Sequence, residues 1–308
     1  MHNWQPSATR EALFARQALY QTIRHFFAQR KVLEVETPLL TLAPVADPNI
    51  TPMHCEGRWL HTSPEYAMKR LLCAGFGDIY QICKVFRQGE AGRRHNPEFT
   101  MLEWYRVDWS LAQLIAEVAE LMQLLLKPRF TELPILHLSY AEAMQAYADL
   151  DVHHTDDQNI ASLGQQLANA DLALNRDGWL DIIMSHQVEP NLPTNTLVFI
   201  DHFPASQAAL AKVIEQDGIA VAERFELFFN GMELANGYHE LTDPNIQRQR
   251  FNQELQGTDR PCDELLLHAL EVGLPDSSGV ALGLDRVLLH LLDCKEIAQV
   301  LSFDWSRA

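Results

Sequence analysis

Between Phe86 and Phe99 the chain carries three arginines, one histidine and two glycines: Arg87, Arg93, Arg94, His95, Gly89 and Gly92. An apolar run, Ile79-Tyr80-Gln81-Ile82-Cys83-Lys84-Val85-Phe86, leads in, and Phe99-Thr100-Met101-Leu102-Glu103-Trp104-Tyr105 leads out. The pattern predicts two strands joined by a loop. Arginine presents a rigid fork of donors that matches phosphate oxygens, so such a loop suits a polyphosphate. Standing alone it reads equally as a solvated hairpin tip, and other residues must decide.

Glu226 and Glu233 flank Asn230-Gly231, a strong signal for a two-residue type I′ turn between two strand-like runs. With that turn Phe229 faces Met232, Glu226 faces Ala235, and alternation sets Glu226 and Glu233 diagonally on one face. Two carboxylates so placed repel unless a cation lies between them. Mg²⁺ is the natural candidate, since it takes hard oxygen ligands and shares them with phosphates. The plainer reading is two acids on the wet side of a sheet. Leu234, Ala235 and Gly237 beside them point instead to close packing.

Glu103 and Tyr105 share one face of the strand after the arginine-rich loop. A carboxylate and a phenol there can hold an ammonium group, or simply anchor a half-buried strand. In Gly279-Val280-Ala281-Leu282-Gly283-Leu284-Asp285-Arg286 the glycines let a flat ligand approach the backbone, and Arg286 can reach a phosphate. Small residues also serve plain helix–strand packing.

These side chains need a frame. Residues 9–30 read as a helix capped by Thr9, with Leu19, Ile23, Phe26 and Phe27 on one face. A short strand, Val32-Leu33-Glu34-Val35-Glu36, stops at Thr37-Pro38. Pro44, Pro48, Pro52 and Gly57 mark 43–58 as loop. A helix begins after Pro64 and ends near Gly75, and another spans about 110–126. Residues 139–190 read as a mostly helical insertion, with an acidic, amide-rich surface stretch at 149–159 that places His153-His154 in a solvated turn. Strand signals return at Leu197-Val198-Phe199-Ile200, and Gly279 onward reads as a strand turning into a helix. Hairpins outnumber βαβ units, which predicts a mostly antiparallel sheet in a single domain spanning 1–308.

The 308 residues, 47% hydrophobic and 21% charged, are those of a soluble globular protein. No apolar run is long enough to cross a bilayer, and the N-terminal residues from Met1 lack the basic start and apolar core of a signal peptide. Five scattered cysteines without metal-ligand spacing predict reduced thiols and a cytoplasmic location. A net charge of −17 argues against DNA or tRNA as the main partner, because gripping a long nucleic acid requires basic surface.

Together the segments resemble the three signature motifs of class II aminoacyl-tRNA synthetases. Val35-Glu36-Thr37-Pro38 closes a stretch like motif 1, the dimer-interface motif. Phe86 through Phe99 resembles motif 2, and Gly279 through Arg286 resembles motif 3. The lysyl branch is the nearest, on Thr62-Ser63-Pro64-Glu65-Tyr66-Ala67-Met68-Lys69-Arg70, Thr100 through Tyr105, and Glu226 through Leu241. The chain has no room for the anticodon-reading domain of lysyl-tRNA synthetases. That architecture, with Phe203-Pro204-Ala205-Ser206-Gln207-Ala208 and Ala235-Asn236-Gly237-Tyr238-His239-Glu240, is similar to the elongation factor P lysine ligases.

The resemblance implies an α+β class II catalytic core, an antiparallel sheet flanked by helices, acting as a homodimer. It implies a ligase that uses ATP and Mg²⁺ to activate (R)-β-lysine and join it to a lysine side chain of elongation factor P. Arg87 and Arg286 then hold ATP phosphates, with Gln88, Gly89, Glu90, Asn96, Leu234 and Gly283 completing the nucleotide contacts. Glu226 and Glu233 bind the metal. Glu65, with Ser63 and Pro64, takes the amino group near the substrate carboxylate. Glu103, Tyr105, Asn236 and Glu240 take the distal ammonium, and Ala281 lines the pocket. Two departures stand out. The motif 2 glutamate falls one position later, at Glu90. Glu240 is an odd number of residues from Glu233, so a bulge at Gly237 is expected to bring them to one face. The rival readings are a truncated synthetase acting on tRNA or another amine, and a non-catalytic regulatory paralogue.

Overall fold

The computed structural model describes residues 4–47, 49–170 and 172–308. Pro48, one of the expected loop prolines, lies outside the described residues, as do Met1, His2 and Asn3. The chain forms two compact units, one of residues 1–132 and 240–308, the other of residues 133–239. The first unit starts with α1 (Arg10–Gln29), β1 (Leu33–Glu34), β2 (Leu40–Thr41), β3 (Met53–Cys55), β4 (Arg58–Leu60), α2 (Glu65–Cys73), β5 (Ile79–Phe86), β6 (Glu98–Val107) and α3 (Leu111–Leu126). The second holds β7 (Ile135–Ser139), α4 (Tyr140–Ala148), α5 (Asp157–Ala168), α6 (Arg176–Ile183), β8 (Leu197–Pro204), β9 (Val213–Gln216), β10 (Ile219–Phe229) and β11 (Glu233–His239). The first unit resumes with α7 (Pro244–Glu254), α8 (Glu264–Gly273), β12 (Ser277–Gly283) and α9 (Leu284–Leu292).

In the first unit the strands run in the order β1-β5-β6-β12. β5, β6 and β12 are antiparallel neighbours, and β1 joins β5 in parallel. The expected strand at 32–36 is ladder-paired only at Leu33 and Glu34. α1 is capped by the Thr9 hydroxyl, which accepts from the Ala12 N–H, and it buries Leu19, Ile23, Phe26 and Phe27. Phe27 stacks on Tyr80 of β5 with ring centroids 4.4 Å apart and meets Trp104 of β6 edge-on. This aromatic cluster fixes one face of the sheet and leaves the other to chemistry. The stretch 43–58 is not wholly loop: β3 and β4 pair as a hairpin and β2 adds to β4.

In the second unit β8 lies between β7, which is parallel, and β10, which is antiparallel. β10 also pairs β9 and β11. The mostly helical insertion expected at 139–190 is α4, α5, α6 and a π turn at Met184–Val188. It supplies its own core rather than only surface: Tyr140, Met144, Ile160, Trp179 and Leu180 pack with Val198, Ile200 and Phe228. Gly164 is required there, since a Cβ would stand 2.5 Å from the Trp179 ring. His153 and His154 lie in a turn, where His154 Nδ1 meets Asp151 at 3.0 Å.

Candidate active site

The register of the first unit's sheet places the chemistry. Reading across β5, β6 and β12, one row is Ile79–Tyr105–Gly279 and the next is Gln81–Glu103–Ala281. Cys83–Met101–Gly283 follows two residues on. Alternation puts all three rows on one face. That face is acidic and phenolic along β6 and stripped to Gly, Ala and Gly along β12.

Glu103 is buried at the centre. The Ser63 hydroxyl donates to its Oε2 at 2.7 Å, and the Tyr105 hydroxyl donates to its Oε1 at 2.7 Å. Ser63 also accepts from the Glu65 N–H at 3.0 Å, so one hydroxyl ties the start of α2 to β6. Glu65 and Glu240 are buried as well. Between them stands Lys69, its ammonium 2.6 Å from each. Burial, reinforced by the charges of Glu65 and Glu240, pushes the Glu103 carboxyl up to about 8 against the hydrogen bonds from Tyr105 and Ser63. Gln81 is buried with an Oε1 that finds no donor. The site thus holds an excess of negative charge and an acceptor in want of a proton.

The expected freedom of the Gly279 backbone to meet a ligand is instead taken up by protein. A Cβ there would lie 2.3 Å from the Tyr105 ring and 2.7 Å from a Glu240 oxygen. The glycine makes room for the tyrosine.

The arginine-rich loop closes tightly. Arg87 donates its N–H to the Pro97 carbonyl at 2.8 Å, and Gly92 and His95 exchange backbone bonds at 3.0 and 3.3 Å, exposing Arg93 and Arg94 at the corner. Gly89 has φ +81°, a conformation that suits glycine. Gln88 donates its N–H to the Thr51 carbonyl at 2.8 Å. Arg87 lies over the Phe99 ring at 5.0 Å, with Glu90 3.9 Å away. Arg286, in the first turn of α9, donates to His95 Nε2 at 2.8 Å, so motif 3's arginine does meet the loop. Its neighbour Asp285 anchors that turn by accepting the Thr100 N–H at 2.6 Å and pairing with Arg16. The Asn96 side chain is spent on backbone: it donates to the Glu98 carbonyl at 2.7 Å and accepts the Trp305 N–H at 2.9 Å. It therefore shapes the loop.

In the second unit the turn at Asn230-Gly231 is as expected, with φ +50° and +65° and Phe229 bonded to Met232. The register beyond it is not. Phe228 pairs Glu233 but Leu227 pairs Ala235, so Leu234 is skipped in a bulge and Glu226 faces Asn236 rather than Ala235. Gly237 pairs Phe225 in regular register, so the bulge sits at Leu227/Phe228 and not at Gly237. The bulge brings Glu233 and Asn236, an odd number of residues apart, to one side. Arg224 hydrogen-bonds Glu226 and reaches Asn236 at 3.3 Å. Burial, with Glu233 and Glu189 nearby, pushes the Glu226 carboxyl up to about 8 although Arg224 opposes the shift. Two carboxylates with this excess charge suit a hard divalent cation that fills its remaining positions with phosphate oxygens and water. Among the described residues no group of three or more His, Cys, Asp or Glu side chains is arranged to hold a metal unaided.

Lys69, Gln81 and Arg224 carry charge or polarity into these sites without having been singled out in the sequence. The signals were spacing: Lys69 follows Glu65 by four on a helix, and Arg224 precedes Glu226 by two on a strand.

Comparison with known proteins gives the family. The family described as tRNA synthetases class II (D, K and N) matches residues 2–306. An elongation factor P–(R)-β-lysine ligase of Edwardsiella ictaluri (strain 93-146) is 44% identical over 327 aligned positions, covering 100% of this chain and 99% of the relative. The chain therefore belongs to the class II tRNA synthetase family of the D, K and N group.

Proposed function

We propose that this protein activates (R)-β-lysine with ATP and transfers it to a lysine side chain of elongation factor P. The observation that carries the reading is the buried cluster of Glu65, Glu103 and Glu240, in which the Lys69 ammonium is shared between Glu65 and Glu240. Such a pocket calls for a ligand with ammonium groups. The related ligase, of matching length, names the substrate and the acceptor.

The reaction has two steps. The β-lysine carboxylate attacks the α-phosphorus of ATP, and the bond to the bridging oxygen breaks, releasing pyrophosphate and leaving a β-lysyl adenylate. The neutral ε-amine of the acceptor lysine then attacks the carbonyl. AMP leaves, an amide forms, and the amine's proton passes to solvent. The first step needs orientation and charge neutralisation rather than a protein nucleophile. Arg87 and Arg286 supply fixed positive charge to the phosphates. Glu65 holds the amino group near the substrate carboxylate, and Glu103, Tyr105 and Glu240 hold the distal ammonium. Glu226 and Glu233 would hold Mg²⁺, which when bound neutralises phosphate charge. A homodimer built on motif 1 and a cytoplasmic location complete the reading.

The test is β-lysine-dependent exchange of pyrophosphate into ATP, followed by offering elongation factor P and lysine tRNA side by side. Elongation factor P should gain the mass of one β-lysyl group and tRNA should remain uncharged. Robust charging of tRNA would turn the assignment to the truncated synthetase instead, and absence of exchange with any amino acid would favour a regulatory paralogue.

A further inference from the structure

Lys69 lies one helical turn beyond Glu65 on α2, and its ammonium bridges two carboxylates, Glu65 at 2.6 Å and Glu240 at 2.6 Å. The lysine side chain is 2% exposed and that of Glu240 1%. The third acid, Glu103, is bonded by the hydroxyls of Ser63 and Tyr105 and, among the described residues, has no ion pair like those of Lys69. Three acids around one ammonium leave two acids in excess, and one of them, Glu103, keeps a proton near neutrality until a cation arrives.

Building on the reading that the chain activates β-lysine, we infer that Lys69 is a positioning residue that sets the charge of this pocket, holding Glu65 and Glu240 so that the two acids in excess receive a substrate with two ammonium groups. Lys69 acts through the carboxylates it bridges and leaves the substrate contacts to them. A buried carboxylate without a cation takes up a proton rather than remain charged, and a protonated acid no longer attracts an ammonium. Burial by itself would weaken the charge on Lys69, but Glu240 and Glu65 outweigh it and the ammonium is held more firmly than usual. It is a permanent counter-charge, in place before substrate arrives. The other titratable groups around it are Glu103 and Tyr105 of β6, Tyr66 and the Cys73 thiol on its own helix, and Glu254 of α7 beside Glu65, with Arg250 and Arg260 acting on Glu254. Lys69 is the ammonium that Glu65 and Glu240 share.

Methionine at position 69 keeps the length of the side chain and removes the charge. Three acids would then share the pocket without the Lys69 ammonium, and a second of them, besides Glu103, would hold a proton at neutral pH. The experiment is a pH titration of the glutamate side-chain carboxyl carbons by NMR, on the full chain without substrate, together with KM and kcat for β-lysine in pyrophosphate exchange. In the wild type Glu103 should titrate near pH 8. Lys69→Met should add a second buried carboxyl titrating near neutrality, and should raise KM at pH 7 about tenfold or more while kcat changes only a few-fold. Combining Lys69→Met with Glu240→Gln restores the charge count and should return the titration to a single carboxyl. An unchanged titration in Lys69→Met overturns the inference, as does a double variant that retains two such carboxyls. Should the single variant fail to fold, the double variant, which keeps the wild-type net charge of the pocket, decides the matter by the same count. If the wild type does not activate β-lysine, the proposed function falls, while the substrate-free titration still judges Lys69 on its own.

Discussion

Gly279 lies directly across the sheet from Tyr105, and the tyrosine ring fills the space where a side chain at 279 would be: a Cβ there would come within 2.3 Å of Cε1. The glycine is a condition for the tyrosine's position, and the tyrosine in turn donates to Glu103 at 2.7 Å. Gly279→Ala should therefore displace Tyr105 and loosen Glu103. Overpacking of this kind costs about 1–3 kcal/mol in stability. The sharper consequence is a loss of kcat/KM for β-lysine of at least about tenfold, since small displacements in a site are costly. Steady-state pyrophosphate exchange and a thermal melt check both parts. An alanine variant with wild-type kinetics would show that Tyr105 has no fixed role.

The strands bearing this pair could be read because their apolar runs are long and punctuated by the polar loop: β5 and β6 run Ile79–Phe86 and Glu98–Val107. β2, β3 and β4 could not, since strands of two or three residues have no measurable period. The turn at Asn230-Gly231 was legible from its chemistry, but the skipped Leu234 was not, because a bulge is a choice made by the whole ladder. Glu103 and Tyr105 announced a shared face by alternation. Lys69 stayed hidden for the opposite reason: a Glu–Lys pair four apart normally reads as a solvated helix face, and only the packed fold reveals it as buried.

The Glu103 carboxyl, raised from 4.5 to about 8 by burial and by Glu65, ties both stability and binding to pH. Between those values the folded protein keeps a proton that the unfolded chain has lost. Its contribution to stability is therefore full below pH 4.5 and declines as pH rises toward 8. Binding runs the other way, because an ammonium ligand favours ionised Glu103. KM for β-lysine should rise as pH falls below about 8, approaching tenfold per pH unit for a one-proton linkage. In Glu103→Gln that limb should vanish while KM is high throughout. A limb that survives the substitution would belong to another group.

Arg286 donates to His95 at 2.8 Å from the first turn of α9, which Asp285 locks to β6 through the Thr100 N–H. It is thus a positive charge on a rigid mount beside the arginine-rich loop. Arg286→Ala should leave the fold intact and reduce adenylate formation by about 3 kcal/mol or more, roughly a hundredfold. His95→Ala removes an orienting partner and should cost less. Exchange activity of Arg286→Ala within tenfold of wild type would remove the residue from the mechanism.

Ala281 stands opposite Glu103 in the β12–β6 register, between Gly279 and Gly283 on the same face. Its methyl group is therefore the side chain that β12 presents at the row of the central carboxylate, with a glycine on either side of it. Lysyl-tRNA synthetases, which the chain resembles, usually have Gly at this point. β-Lysine carries its amino group one carbon further from the carboxylate than α-lysine, so the two fill the space near the adenylate differently. A single methyl in a close-fitting pocket discriminates by about 1–3 kcal/mol. Ala281→Gly should accordingly improve activation of α-lysine relative to β-lysine by about tenfold or more. The quantity to measure is the ratio of kcat/KM for the two amino acids in wild type and variant, because a defect of mere packing would lower both together and leave the ratio alone. A constant ratio would move the source of selectivity to Glu65, the residue proposed to hold the proximal ammonium, or to Ala235.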